Sequence, residues 1–325
     1  MDRRKFLRNA LPELSSLRPF SGKQDQVYYM VTFVSRIGYW TDCYRGMRDA
    51  ATFLGVKAKY TGAVLYDIGA EVDVLETVIS QGPDGILLTV IDPDGLQSTI
   101  DNAVSQDLPL VTFDADSPRS KRYGFVGTNN YKAGVVAARY LGTLLREGKV
   151  AISSVPTQLN HIQRRAGFND TLKAEFPNIV TSDALTVDDE STLTVAATKM
   201  TSLLTTNADI RGIFATESQG GAGVAQAVAE TGKTDIKIVA FDYDPATLDL
   251  IDQNKISATL AQSTWQMGFW GMLQLYMVRN ERIKSVSDWR GAGISPLPVN
   301  VDTGVVVVTR DNSQLWRTTN PPSTQ

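Results

Sequence analysis

From Val27 onward the chain alternates short apolar runs with amphipathic stretches of helical period. VYYMVTFV (27–34), KAKYTGA (57–63), GILLTV (85–90), LPLVTFD (108–114) and RYGFVGT (122–128) read as strands. TDCYRGMRDAATFLG (41–55), AEVDVLETVISQG (70–82) and DGLQSTIDNAVSQD (94–107) lie between them, and NYKAGVVAARYLGTLLR (130–146) follows. These stretches place apolar residues at the spacing of one helix face. The strand runs are continuous rather than alternating, which suits a parallel sheet covered on both faces. Strands interleaved with helices of this length predict βαβ units.

The alternation then restarts. KVAISSV (149–155), IVTSDALTV (179–187), IRGIFAT (210–216), IKIVAFD (236–242) and ISATLAQ (256–262) each precede a helical pattern. The helical patterns are RAGFNDTLKAEF, TLTVAATKMTSLL, GGAGVAQAVAETG, PATLDLIDQ and MGFWGMLQLYMVR. A last run, VNVDTGVVVVT (299–309), closes the series. The expected fold is α/β, with two doubly wound parallel-sheet lobes. The segments TDCYRGM and QMGFWGM share a layout but too little identity to be read as a repeat.

At 325 residues the chain suits two domains better than one, and a net charge of −3 argues against a nucleic-acid partner. The single cysteine, Cys43, excludes an intrachain disulfide. No stretch approaches the apolar length that spans a bilayer. MDRRKFLR resembles a twin-arginine export signal, but the NALPELSSLRPFSGKQDQ that follows lacks the apolar core such a signal needs. It is either a degenerate signal or a basic tail, and residues 1–25 are expected outside the fold.

Open parallel sheets bind ligands beyond the carboxyl ends of their strands. Tyr39, Trp40, Asp114, Asp116, Asn160, Arg164, Glu217, Asp242 and Gln262 fall there, and the set is acid-rich with two adjacent rings. Aspartate also favours helix caps, which accounts for part of such a set. Known catalytic patterns do not fit. From Gly221 the sixth place of a dinucleotide fingerprint is Gln226, and Ala227 stands where a P-loop before Gly232 needs glycine. The single DTG at Asp302 lacks the partner carboxylate of an aspartic protease. The only histidine, His161, reads as a loop or cap residue rather than an acid–base group. No enzyme activity, cofactor or metal is expected.

GYWTDCYRGM, VTFDADSP with GTNNYKAG, LNHIQRRAGF, GIFATES, IVAFDYDP and ATLAQSTWQMG occur in this order. Together they resemble the type I periplasmic binding proteins, in the sugar-binding branch that includes ribose-binding proteins. The resemblance spans about residues 27–310. It implies that Tyr39 and Trp40 lay rings against a sugar's C–H face. It also implies that Asp114, Arg164, Asp242 and Gln262 bond its hydroxyls, with Asn160 at N-x-x-x-R spacing from Arg164. Ala115 stands where ribose binders carry arginine, and Glu217 where they carry asparagine. Asp116 and Glu217 are therefore expected either as extra acceptors for a neutral or cationic sugar or polyol, or as helix caps.

The implied function is the solute-binding component of an ABC-type importer in the periplasm. It is expected to act as a monomer, to close about a hinge on its ligand and to be recognised by a membrane permease. A cytosolic or membrane-associated sugar sensor of the same fold is the alternative. No helix-turn-helix pattern precedes Val27, so a DNA-binding repressor is not expected. The expected lobes are 27–127 with 264–302, and 128–263 with 303–318, followed by a 319–325 tail. Crossings are expected near 127–130, 262–264 and 302–304.

Overall fold

The computed structural model describes residues 25–35 and 37–319. The MDRRKFLR stretch lies outside the described residues. The first lobe opens with β1 (Val27–Thr32), α1 (Tyr39–Leu54), β2 (Lys57–Gly62), α2 (Ile68–Ser80) and β3 (Gly85–Leu88). It continues through α3 (Gln97–Ser105), β4 (Leu110–Phe113) and β5 (Phe125–Gly127). The chain then builds a second lobe: α4 (Asn130–Leu144), β6 (Gly148–Ser154), α5 (Leu159–Glu175), β7 (Ile179–Val180) and β8 (Thr186–Asp188). α6 (Leu193–Thr206), β9 (Ile210–Ala215), α7 (Ser218–Glu230), β10 (Lys237–Phe241), α8 (Pro245–Asp252) and β11 (Ala258–Gln262) complete the alternation. α9 (Thr264–Arg279) and β12 (Asn300–Asp302) return to the first lobe, and β13 (Val305–Val308) and α10 (Ser313–Thr319) end in the second.

The first sheet runs β12-β5-β4-β3-β1-β2, with every neighbouring pair parallel. The second runs β13-β11-β10-β9-β6-β7, with β8 also on β6 and β13 antiparallel to β11. Each sheet reverses its winding beside its first strand, so both have a switch point where loops part above the carboxyl ends. The last apolar run is two strands in different sheets, because the chain turns at Asp302–Gly304. There Asp302 Oδ1 accepts from the backbone N–H groups of Asn129 (3.0 Å) and Gly304 (2.9 Å), and Gly304 has a φ of 72°. Asp302 of the DTG thus ties two of the three crossings together.

The two lobes are built alike in a way that the sequence comparison did not reach. In the first, α1 packs on α9; in the second, α4 packs on α5. Both crossings use reciprocal glycines. A Cβ on Gly46 would run into the Trp265 carbonyl, and one on Gly268 into the Cys43 carbonyl. Gly134 and Gly167 face the Arg164 and Tyr131 carbonyls in the same way. The shared layout of TDCYRGM and QMGFWGM is therefore the two sides of one helix contact. Backbones this close gain dispersion contacts that any side chain would break. Gly221 of the rejected dinucleotide motif likewise lets α7 rest on Ala240 of β10.

Helix starts differ from expectation at two places that matter. α1 begins at Tyr39, with no side-chain cap from Gly38, so Tyr39 and Trp40 sit on its first turn rather than in a loop. α5 begins at Leu159, so His161 lies inside a helix, 3% exposed, with Nδ1 2.8 Å from Thr216 Oγ1. Burial and the nearby Arg164 and Arg165 cations hold its pKa well below the usual value. It is a neutral core histidine.

The glycine crossing gives a direct test. Gly46→Ala is expected to push α1 off α9 and to lower stability by about 1–3 kcal/mol. Urea unfolding with an unchanged midpoint would show that the helices have room to spare.

Candidate functional site

The carboxyl ends of both sheets face each other, and the side chains between them form one bonded network. Tyr39, on the first turn of α1, donates from Oη to Asp114 Oδ1 (2.6 Å). Gln262, at the end of β11 in the other lobe, donates from Nε2 to Tyr39 Oη (3.0 Å) and to Asp242 Oδ1 (2.9 Å). Its Oε1 accepts from Thr128 Oγ1 (2.7 Å) and Arg164 Nη2 (3.2 Å). Arg164 also donates to Asn130 Oδ1 (2.8 Å) and to the Thr216 carbonyl (2.7 Å), and its guanidinium lies 3.7 Å from the centre of the Phe241 ring. Each nitrogen of this buried cation thus donates one hydrogen bond, and the Phe241 ring covers its face.

Asp114 and Asp242 occupy equivalent places at the ends of β4 and β10. Both adopt the left-handed region, with φ of 60° and 66°. Their N–H groups bond the next strand, to Val126 O and Leu260 O respectively. Aspartate tolerates this conformation better than most residues, and such strain gathers at functional positions. The turn aims each carboxylate across the cleft.

Burial dominates the electrostatics. It raises the Asp242 carboxyl from 3.8 to about 6, although the Arg164 charge and the Gln262 bond pull it down. Burial raises Asp114 as well, against the Tyr39 hydrogen bond and Arg164. Arg164 is lowered by burial and supported by Asp242 and Asp114. The charge of Arg164 thus acts on both carboxylates without bonding either directly.

The other expected residues are placed differently. Trp40 is 2% exposed and packs edge-on against Phe33, Tyr39 and Phe113 in the first lobe's core. It lines neither cavity of the cleft, because the residue after Tyr39 on a helix points about 100° away from it. Asp116 lines the cavity on the Asp114 side, where it accepts from Arg122 Nη2 (2.6 Å) and Thr112 Oγ1 (2.6 Å). Glu217 is the cap of α7, accepting from the backbone N–H groups of Gln219 (2.9 Å) and Gly220. Burial and the neighbouring Asp189 charge raise its pKa. The helix-cap alternative therefore describes Glu217, and an ion pair describes Asp116. Asn160 lines a cavity on the Asp114 side, with Asn130 and Asp302.

The structure adds residues that the sequence reading passed over. Asn130 and Thr128 position Arg164 and Gln262. Farther along the cleft, Tyr243 of the second lobe has its Oη 2.8 Å from Thr264 Oγ1 and donates to Asp42 Oδ2 of α1 (3.2 Å). Thr264 Oγ1 also donates to Asp42 (2.6 Å). This clasp joins the lobes a second time. Asp42 lies in the first turn of a helix, where aspartate usually signals a cap, and nothing in the sequence pairs it with Tyr243.

Residues 27–282 match the model of the periplasmic binding protein domain family. Xylose/arabinose-binding protein XylF of Sulfolobus acidocaldarius is 26% identical over 290 residues, covering 83% of this chain and 68% of XylF. Ribose import binding protein RbsB of Bacillus subtilis is 29% identical over 226 residues, covering 69% of this chain and 72% of RbsB. Among solved structures, a sugar-binding protein of a sugar ABC transporter from Bacillus halodurans is 41% identical with a TM-score of 0.83, covering 90% of this chain and all (100%) of its own. AraP, an arabinose binding protein from Geobacillus stearothermophilus, is 42% identical with a TM-score of 0.81, covering 90% and 99%.

The raised carboxyl of Asp242 sets a pH dependence. Folded Asp242 holds its proton more tightly than the unfolded chain does, so this group's contribution is complete below about pH 4 and lost as pH rises through about 6. Chemical unfolding between pH 4 and 7 should show Asp242→Asn losing less stability with rising pH than the parent, by on the order of 2–3 kcal/mol. Parallel profiles for the two proteins would mean that Asp242 is ionised in the fold without penalty.

Proposed function

This chain belongs to the periplasmic binding protein domain family, and from that premise we propose how it takes its ligand. It is a sugar-binding solute-binding protein of an ABC importer, a binding protein rather than an enzyme. We infer that the ligand is a neutral pentose held by Tyr39, Asp114, Arg164, Asp242 and Gln262. The observation that carries this is the Tyr39–Asp114–Gln262–Asp242–Arg164 network, in which hydroxyl-type donors and carboxylate acceptors from both lobes already meet. A sugar hydroxyl donates to a carboxylate and accepts from a guanidinium or amide, so it can replace either partner of each bond. The relatives fit this class: XylF is named for xylose and arabinose, RbsB for ribose and AraP for arabinose.

Tyr39 supplies the flat apolar face against which a sugar's C–H groups exclude water. The two strained aspartates then bond hydroxyls from opposite lobes, so a bound sugar stabilises the closed arrangement more than an open one. The lobes swing about the crossings tied by Asp302, and the closed form is what a membrane permease recognises. The chain acts as a monomer outside the cytoplasm. The acids exclude anionic ligands: a sugar acid would place a third charge beside Asp114 and Asp242, with Arg164 alone to offset it.

Calorimetry and thermal shift against L-arabinose, D-arabinose, D-xylose, D-ribose, galacturonate and ribose 5-phosphate test this reading. At least one neutral pentose is expected to stabilise the protein, by about 2.7 kcal/mol at a hundred times its Kd. Tyr39→Ala should weaken that pentose by about 1–3 kcal/mol. Binding of galacturonate or the phosphate as tight as any neutral pentose would overturn the proposal.

A further inference from the structure

The cleft does not end at the sugar-binding network. On the Tyr39–Asp242 side it opens into a cavity of about 440 Å³, within the range of small-molecule sites. One end is formed by Tyr39 and Asp242 themselves. The far wall comes from the second lobe: Tyr243, Pro245 and Leu248, together with Trp316 of α10. The Tyr243 and Trp316 rings lie 4.8 Å apart at 57°. The Asp42–Thr264 clasp fixes the Tyr243 ring by its hydroxyl, so this aromatic wall is set before any ligand arrives.

Polar groups surround that wall. The side chains of Thr41, Ser218 and Gln219 reach the cavity and make no hydrogen bond among the described residues. The charges there are committed: Arg317 pairs with Asp249 (2.7 Å) and Asp252 (2.9 Å), while Asp244 caps α8. A rigid aromatic face bordered by uncommitted hydroxyl and amide groups is the chemistry that receives a second neutral sugar ring. An anionic substituent would meet Asp42 and Asp244.

We propose that this compartment is a second sugar subsite, so that the cleft accommodates a neutral disaccharide or glycoside whose terminal pentose lies on Tyr39 and whose second ring lies on Tyr243 and Trp316. This rests on the sugar-binding reading above.

Calorimetry on the full chain with L-arabinose and D-xylose, and with arabinobiose and xylobiose, separates the two ideas. A disaccharide is expected to bind at least as tightly as its own monosaccharide. Trp316→Ala should weaken the disaccharide about tenfold more than the monosaccharide. Thr41→Phe, at an exposed position that fills the cavity, should do the same if Trp316→Ala fails to fold. Monosaccharide binding with disaccharides excluded, or equal losses for both in the variants, would overturn the subsite and leave the sugar-binding reading intact. If none of these four sugars binds while D-ribose or D-arabinose does, the subsite falls and the sugar-binding reading stands; if no neutral pentose binds at all, both fall.

Discussion

A buried guanidinium and two buried carboxylates, tied into one network through Gln262 and Tyr39, are the constraint from which the rest of the molecule can be understood. Arg164, Asp114 and Asp242 are each at most 7% exposed. Leaving any one of them unpaired inside the protein would cost several kcal/mol. The fold meets this by placing Asp114 on one sheet, Arg164 and Asp242 on the other, and Gln262 where the chain leaves the second lobe. The lobes therefore cannot separate without exchanging the Gln262–Tyr39 bond for water. A polyhydroxylated ligand supplies both donors and acceptors at that boundary, which a purely apolar or anionic one does not.

The paired architecture explains how the arrangement is held. Both sheets wind in the same order, and in both the strand third from one edge, β4 or β10, ends in a left-handed aspartate. In both, a glycine-mediated helix crossing anchors the helix whose first turns carry a proposed sugar-binding group. α1 carries Tyr39 and is locked to α9 through Gly46 and Gly268. α5 carries Arg164 and is locked to α4 through Gly134 and Gly167. On the proposed function, the sugar-binding groups stand on these anchored helices and the crossings are left as the hinge. Thermodynamically, that confines motion to a hinge and keeps each half of the site preorganised.

Much of this was legible in the residues. Continuous Val/Ile/Leu runs between amphipathic helices identify buried parallel strands, because only a sheet covered on both faces tolerates them. Strand ends then locate Tyr39, Asp114, Asp242 and Gln262. What remained hidden depends on rotation about an axis or on a distant partner. Tyr39 and Trp40 are neighbours in sequence, but which ring faces the cleft follows from where α1 starts, and Gly38 offers no capping side chain to mark it. Asp116 lines the cleft, but the Arg122 that bonds it could be found only in the structure. Glu217 is longer than the usual capping residue, so its role shows only once α7 is seen to begin after it. The clasp between Asp42 and Tyr243 spans 201 positions and leaves no local pattern.

The most direct measurement is a crystal structure of the full chain grown with the tightest-binding neutral pentose. The account predicts sugar hydroxyls within hydrogen-bond distance of Asp114, Arg164, Asp242 and Gln262, with Tyr39 against the ring's C–H face and its hydroxyl no longer bonded to Asp114. A sugar bound elsewhere, with the Tyr39–Asp114 and Gln262–Asp242 bonds still in place, would contradict it.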